Sequence, residues 1–169
     1  MPGEVRSFHV RAFVEADRAA VLALWQDCGL VRPWNPPEGD LDRALAGPSS
    51  TLLVADDAGT VVGSVMAGDD GHRGWVYYLS ALPERRGQGI GAALMRAAED
   101  WLRARGVRKL ELMVRSTNEA VLGFYDRLGY EREPVAVCSR WLTETDPRTN
   151  PTTRVPQTSQ PLVFSALVP

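Results

Sequence analysis

A glycine-rich turn at residues 82–92 constrains the fold of this chain more than any other segment. It reads Leu-Pro-Glu-Arg-Arg-Gly-Gln-Gly-Ile-Gly-Ala and joins a strand-like run over residues 75–82 to an amphipathic helix that begins near Ile90. Glycine lets the backbone adopt positive φ angles and approach a bulky ligand closely. The first-turn N–H groups of a helix favour anions, and Arg85 and Arg86 add further donors. The pattern predicts a loop that binds a pyrophosphate.

The ligand that carries this pyrophosphate is a separate question. Gly87, Gly89 and Ala92 have the Gly-x-Gly-x-x-Ala spacing of dinucleotide-binding folds, although such a match alone has little specificity. That fold places the loop early in a β-α-β unit, whereas three antiparallel-looking strands precede it here. A plain turn that opens a core helix is a third interpretation, but three glycines beside two arginines would be costly at a mere turn.

Composition favours one globular domain of ordinary polarity. The 169 residues are 44% apolar and 24% charged, with a formal charge of −2. Basic residues are spread along the chain, so we expect no nucleic-acid partner. No apolar run approaches the ~20 residues that span a bilayer, and residues 1–11 contain no apolar signal-peptide core. We therefore expect a cytoplasmic protein with no membrane partner.

Cysteine and histidine, the side chains that bind zinc most often, are scarce. The chain has two cysteines, Cys28 and Cys138, and two histidines, His9 and His72. None of them has metal-ligand spacing, so we expect no metal. Both thiols are expected to be reduced and packed.

Apolar periodicity and turn residues predict the elements before the C-terminal tail. We expect a capping box formed by Ser116 and Glu119 before the last helix, and a C-terminal cap at Gly129. Strands are predicted over residues 5–13, 51–55, 60–67, 75–82, 107–114 and 135–142, and helices over 17–28, 40–46, 90–105 and 116–128.

The composition changes near Thr143. Residues 1–142 are expected to form the domain, and residues 143–169 a Pro/Thr-rich extension whose end, residues 162–168, turns apolar again. An apolar arm of this kind can dock as a strand on its own or on a neighbouring subunit. We therefore predict a homodimer in which the arm packs on the partner.

Two motifs resemble one enzyme family. The pattern Arg86-x-x-Gly89-x-Gly91, after a strand and Pro83, resembles motif A of the GCN5-related N-acetyltransferases (GNAT), and residues 116–130, with Asn118 and Tyr125, look like its motif B. The resemblance covers about residues 5–142. Residues 32–35, Arg-Pro-Trp-Asn, and 70–74, Asp-Gly-His-Arg-Gly, are similar to the YpeA-type bacterial branch.

The resemblance implies a fold and an activity. The fold is α+β, a three-layer α/β arrangement with a mixed central sheet of about six to seven strands flanked by about four helices, in the order β-α-α-β-β-β-α-β-α-β-β. The activity is transfer of an acyl group, expected to be acetyl, from acyl-CoA to an amine of a small molecule, peptide or protein. Acetyl-CoA is the implied co-substrate.

The resemblance also implies a division of roles. The pantetheine arm would enter between strands 75–82 and 107–114 and pair with the backbone of Leu79, Ser80 and Ala81, where an N–H near Leu79 polarises the thioester carbonyl. Tyr125 would protonate the leaving thiolate, and Asn118 would hold the pantetheine. The alternative for Tyr125 is a core aromatic residue. The residues implied to bind the pyrophosphate are Arg86, Gly87, Gln88, Gly89, Ile90, Gly91 and Ala92.

The general base and the acceptor site stay open. Many family members carry a glutamate on the strand before motif A, but residues 75–79 supply none. Other candidates, acting directly or through a water, are Tyr77, Tyr78, His72, Asp69 and Asp70. The acceptor is expected to meet the loop at residues 30–40 and the turn at 68–74. The residues proposed there are Arg32, Trp34, His72 and Tyr77, with Arg73 for a carboxylate and Glu38 or Asp40 for a cation.

Two other functional classes compete with this interpretation. A CoA-binding regulatory module without catalysis is supported only by the missing glutamate. An NAD-dependent oxidoreductase rests on the weak glycine match alone.

Overall fold

The computed structural model describes residues 8–143 and 146–149. Residues 5–7 of the predicted first strand and the apolar end at 162–168 lie outside this part, so the predicted arm and homodimer stay predictions. The described elements, in chain order, are β1 (His9–Ala12), α1 (Arg18–Asp27), α2 (Pro37–Leu45), β2 (Ser50–Asp57), β3 (Thr60–Asp69), β4 (Gly74–Ala81), α3 (Ile90–Arg103), β5 (Leu110–Glu111) and α4 (Glu119–Arg127). Short 3-10 turns lie at Glu15–Asp17, Pro83–Arg85 and Pro147–Thr149.

The strands form a mixed sheet in sequential order, which confirms the α+β class. Within the described residues the sheet has five strands, and β1 to β4 pair antiparallel while β4 and β5 pair parallel. This order lacks the repeated parallel β-α-β units of a dinucleotide-binding fold, so the oxidoreductase interpretation loses its structural basis.

Helices cover both faces of the sheet and bury two apolar clusters. One face packs against α3 and α4, and its cluster includes Val65, Leu79, Ile90, Leu94 and Tyr125. The other face packs against α1 and α2, and its cluster includes Val21, Trp25, Leu41, Val54 and Tyr78. The helix α3 is amphipathic because its apolar residues recur at positions such as 90, 94, 98 and 102. This three-layer arrangement is the one expected.

A glycine allows α3 to lie close to the sheet. A Cβ built on Gly63 of β3 would lie 2.6 Å from Ile90 Cγ2 and 2.8 Å from the carbonyl oxygen of Ser80. No side chain fits in this space, so Gly63 sets the distance between α3, β3 and β4.

Two predicted strands differ from the structure. The segment 107–114 pairs with β4 only at Leu110 and Glu111, because β4 changes its course three residues further on and the two chains separate. Residues 135–142 form no strand in the described part of the chain, and Val135, Val137 and Leu142 are exposed. Their apolar pattern gives strand propensity, but a strand also needs a neighbouring edge within hydrogen-bonding distance.

The structure also corrects the predicted N-cap of the last helix and the predicted burial of one thiol. The N-cap of α4 is Asn118, whose Oδ1 accepts a hydrogen bond from the Val121 N–H, so the predicted capping box at Ser116 is wrong. Gly129 follows α4 with φ 85°, as expected for a C-terminal cap. Cys28 is buried as predicted, whereas Cys138 is exposed because it lies on the unpaired segment at 131–140.

No helix in residues 8–143 and 146–149 is long and apolar enough to cross a membrane. This part of the chain also contains no group of three or more His, Cys, Asp or Glu side chains placed to hold a metal ion.

Candidate active site

A bulge interrupts β4 at the centre of the candidate site. Ser64 pairs with Ser80 and Met66 with Tyr77, so Tyr78 and Leu79 together oppose the single residue between them on β3. Tyr78 has a φ angle of 52°, which is uncommon for a bulky residue. A bulge of this kind bends its strand and leaves one residue out of the regular ladder. The predicted pantetheine segment, Leu79 to Ala81, therefore begins at a local distortion of the strand.

The parallel strands β4 and β5 separate below this bulge. Their pairing ends at Trp75 and Glu111, whereas β4 continues to Ala81. An open cleft of about 980 Å³ runs along residues 107–114 and α4, and residues 129–133 form part of its rim. Its lining includes the apolar side chains of Leu110, Leu112, Val114, Leu122 and Tyr125. The predicted separation of the two strands is present.

The glycine loop ends at the N-terminus of α3. Gly87 and Gly89 have φ angles of 76° and 79°, and Gly89 is the N-cap, which has no side chain to cap the helix. The first-turn N–H groups of a helix have no acceptor within the helix, and they carry its positive dipole end. The loop thus has the backbone donors that an anion requires.

Gly91 allows two helices to pack closely. A Cβ built there would lie 3.2 Å from Phe124 Cζ, so Gly91 lets α4 pack against the first turn of α3. Leu79, Ile90 and Tyr125 belong to the same buried cluster. The structure therefore brings the β4 bulge, the start of α3 and Tyr125 of α4 together around one core.

The two arginines of the loop differ in their surroundings. Arg85 donates from Nη1 to Asp57 Oδ2 at 2.8 Å and from Nε to Gln88 Oε1 at 2.7 Å, so it braces the loop from the β2–β3 hairpin. Arg86 is exposed, and its positive charge acts on the thiol of Cys28. Burial raises the pKa of Cys28, and Arg86 opposes that rise. Of the two, Arg86 is the side chain nearer to solvent.

Tyr125 lines the cleft with a buried hydroxyl group. The residue is 4% exposed, and its Oη has no hydrogen-bond partner among the described residues. Its ring contacts the rings of Phe124 and Tyr130 edge to face, at centroid distances of 5.0 and 5.5 Å. Burial raises the pKa of Tyr125, which keeps the phenol protonated. A buried phenol without a partner is rare, and it is suited to donate to a ligand.

The side chain of Asn118 is the N-terminal cap of α4 in the described structure. Its Oδ1 caps α4 two turns before Tyr125, so it fixes the start of the helix that presents the phenol. The predicted contact between Asn118 and pantetheine stays a prediction.

The turn between β3 and β4 lies far from the bulge. Asp70 Oδ1 accepts hydrogen bonds from the N–H groups of His72 and Arg73, and its Oδ2 accepts one from Trp75 Nε1. These bonds lower the pKa of Asp70 to about 2, so it is a poor base. His72 is exposed and lies seven residues before Leu79, which is about 20 Å along an extended strand. The structure does not bring His72 or Asp70 to the bulge.

The loop at residues 30–36 covers the other face of the sheet. Arg32 donates from Nη1 to the carbonyl oxygens of Gly29 and Val31, so this side chain caps the end of α1. Arg32 and Asn35 form a short antiparallel bridge, and Trp34 between them is half-buried. Tyr77 packs toward the same face, and burial, followed by the charge of Asp70, raises its pKa. Because its pKa is raised, the Tyr77 phenol stays protonated at neutral pH and cannot accept a proton there.

Sequence reasoning missed a polar group beneath the bulge. Tyr78 Oη donates to Asp40 Oδ2 at 2.6 Å, and Asn35 Nδ2 donates to the same oxygen at 2.9 Å. The ring of Tyr78 stacks on Trp25 at a centroid distance of 4.0 Å. The adjacent tyrosines at 77 and 78 break the alternation expected of a strand, and this break was the available signal.

Comparison with known proteins identifies the family of this chain. The model of the Acetyltransferase (GNAT) family matches residues 10–130. An acetyltransferase of Yersinia enterocolitica is 45% identical over 133 residues, which cover 79% of this chain and 94% of the relative. An acetyltransferase of Yersinia pseudotuberculosis is 46% identical over the same shares of both chains. The chain therefore belongs to the GNAT family, and it is an N-acetyltransferase.

Solved structures confirm the fold. An aminoglycoside N-acetyltransferase in complex with CoA superposes with a TM-score of 0.70 at 18% identity, over 85% of this chain and 99% of that chain. The likeness at this identity concerns the architecture alone.

Proposed function

We propose that this enzyme transfers an acetyl group from acetyl-CoA to a primary amine of a small molecule or peptide by direct attack. The observation that carries the proposal is the buried hydroxyl of Tyr125, which has no partner among the described residues, lines the cleft along residues 107–114 and shares a core cluster with Leu79 and Ile90. The relative solved with CoA, an aminoglycoside N-acetyltransferase, supports both the donor and an amine acceptor.

The donor would be held mainly by backbone. The pyrophosphate would accept hydrogen bonds from the loop at residues 86–92, where the positive φ angles of Gly87 and Gly89 turn the chain toward the start of α3. The pantetheine arm would lie beside β4 at Leu79, Ser80 and Ala81. The Leu79 N–H would donate to the thioester carbonyl oxygen as negative charge develops there.

The chemical step then needs one base and one acid. The amine nitrogen attacks the thioester carbon, the carbon–sulfur bond breaks, and the sulfur takes the electron pair. Tyr125 Oη donates its proton to this sulfur, the protonated amide nitrogen loses its proton to solvent, and the Tyr125 phenolate then regains a proton from solvent. Burial raises the pKa of Tyr125, so the phenol keeps its proton until negative charge develops on the sulfur.

The acceptor would approach over the loop at residues 30–36. Trp34 is half-buried there and would form an apolar wall. Arg32 would contribute with the nitrogens that do not cap α1, and Tyr77 would line the approach. His72 would meet only the distal part of a long acceptor, because it lies at the far end of β4.

The test is thiol release from acetyl-CoA in the presence of separate panels of free amines, amino acids and peptide N-termini. We expect acceptor-dependent release with at least one panel, and an acetylated product of matching mass. If acetyl-CoA binds but no amine accelerates thiol release above hydrolysis, direct transfer to an amine is wrong.

A further inference from the structure

The strained backbone at Tyr78 needs a structural cause. A non-glycine residue with positive φ persists only where its surroundings hold it in place. Tyr77 and Tyr78 are consecutive, yet both pack toward the cluster on the α1–α2 face. Regular alternation would place one of them on the opposite face. The packing of both tyrosines on this one face therefore requires the bulge.

Two anchors hold the Tyr78 side chain, which is 5% exposed. Its ring stacks on Trp25 with an interplanar angle of 18°, and its Oη donates to Asp40 Oδ2 at 2.6 Å. Asn35 Nδ2 donates to the same carboxylate oxygen, and Arg43 donates to the other one. The first turn of α2 and the loop before it thereby hold Tyr78, which lies 38 positions after Asp40 in the chain.

A second set of hydrogen bonds holds the end of the bulge at Ser80. Trp25 Nε1 donates to Ser64 Oγ at 2.9 Å, and Ser64 Oγ lies 3.0 Å from Ser80 Oγ. Ser64 and Ser80 are 0% and 1% exposed, so these bonds are made away from water. Tyr78 and Ser80, the two neighbours of Leu79, are thus both connected to Trp25.

We propose that Asp40 and Tyr78 are positioning residues, whose hydrogen bond holds the β4 bulge in the shape that presents the Leu79 N–H to the thioester carbonyl. This inference rests on the proposed role of Leu79. The carboxylate of Asp40 acts at a distance from the reacting atoms, through the phenol and the backbone of Tyr78. The same contact links the loop at residues 30–36 to the thioester site, because Asn35 shares the carboxylate oxygen.

The test compares Asp40→Ala, which removes the acceptor oxygens, and Tyr78→Phe with the wild type. Tyr78→Phe keeps the stacked ring and removes only the hydroxyl, so it remains informative if Asp40→Ala fails to fold. We expect kcat to fall at least tenfold in each variant, while the Kd of CoA, which has no acyl carbonyl, changes less than twofold. The double variant should be no slower than the slower single variant, because both changes break one bond.

A matched control lies on the same helix. Asp42 pairs with Arg18 at the surface, and its side chain is 65% exposed. The control Asp42→Ala removes one carboxylate from α2 without touching Tyr78, and we expect unchanged kcat.

The decisive readout is the carbonyl stretching frequency of bound acetyl-CoA carrying ¹³C at the carbonyl carbon. Wild-type protein should lower this frequency relative to free acetyl-CoA, and both variants should return it toward the free value. If the wild type lowers it and both variants do so equally, the positioning role is wrong and the role of Leu79 stands. If the wild type leaves the frequency unchanged, the proposed role of Leu79 fails, and the positioning role fails with it.

Discussion

Replacing Tyr125 with Phe should change stability and activity in opposite directions. The Tyr125 hydroxyl is buried and has no hydrogen-bond partner among the described residues. A buried polar group in this state costs roughly 1–3 kcal/mol. Its removal, with the ring and its contacts kept, should raise the free energy of unfolding by up to about that amount. For a chain of this size, 1 kcal/mol corresponds to roughly 2–4 °C in Tm.

The same substitution removes the proposed acid. A positioned general acid contributes about 10²- to 10⁴-fold to the rate, so kcat should fall by roughly 10²-fold or more. The Kd of acetyl-CoA should change little, since the phenol acts on the sulfur as the bond breaks. Urea denaturation gives the stability, and thiol release at saturating acetyl-CoA gives kcat.

Tyr130→Phe is the matched control. Tyr130 packs edge to face on Tyr125, but its Oη donates to Glu99 Oε1 at 2.7 Å. Loss of this bond should lower the free energy of unfolding by about 1 kcal/mol and leave kcat unchanged. If Tyr125→Phe destabilised the protein and preserved kcat, Tyr125 would not be the acid. Tyr125 would then be a core aromatic residue.

Two further predictions concern packing and pH. Gly63→Ala should destabilise the protein by about 1–3 kcal/mol, because its Cβ would meet Ser80 O at 2.8 Å, whereas Gly39→Ala in α2, where nothing lies within 4 Å, should be neutral or stabilising. Equal effects in urea denaturation would contradict the close approach of α3. Asp70, with its pKa lowered from 3.8 to about 2, stabilises the fold above pH ~4, and this contribution disappears as the pH falls through 2. The Tm difference between wild type and Asp70→Asn should therefore shrink from pH 5 to pH 2, and a constant difference would argue against the hydrogen bonds of Asp70.

Local sequence patterns predicted the parts of the site that depend on neighbouring residues. The loop, its positive-φ glycines at 87 and 89, and the helix from Ile90 follow from glycine freedom and apolar spacing. The sequence predicts that α2 begins at Asp40, whereas it begins at Pro37, because proline suits the first turn of a helix as well as a loop.

Long-range contacts account for what local patterns missed. The bond between Tyr78 and Asp40 spans 38 positions, and no spacing rule connects them. Gly91 fits the phosphate-loop pattern, but its close neighbour is Phe124. That residue lies on α4, which follows β5 in the chain. The early end of β5 depends on the course of β4, so the 107–114 pattern alone could not predict it.

Binding of acetyl-CoA at the glycine loop can be read from Tm. Tm should be measured with acetyl-CoA and with NADH for wild type, Gly89→Ala and Gly59→Ala. Both glycines have positive φ and open space around them, so both substitutions bring similar backbone strain, but Gly59 lies in the β2–β3 turn. We expect acetyl-CoA to raise Tm in wild type and Gly59→Ala and much less in Gly89→Ala, while NADH raises none of them. If the Tm of the wild type is unchanged at saturating acetyl-CoA, or rises equally in all three proteins, the loop does not hold the donor.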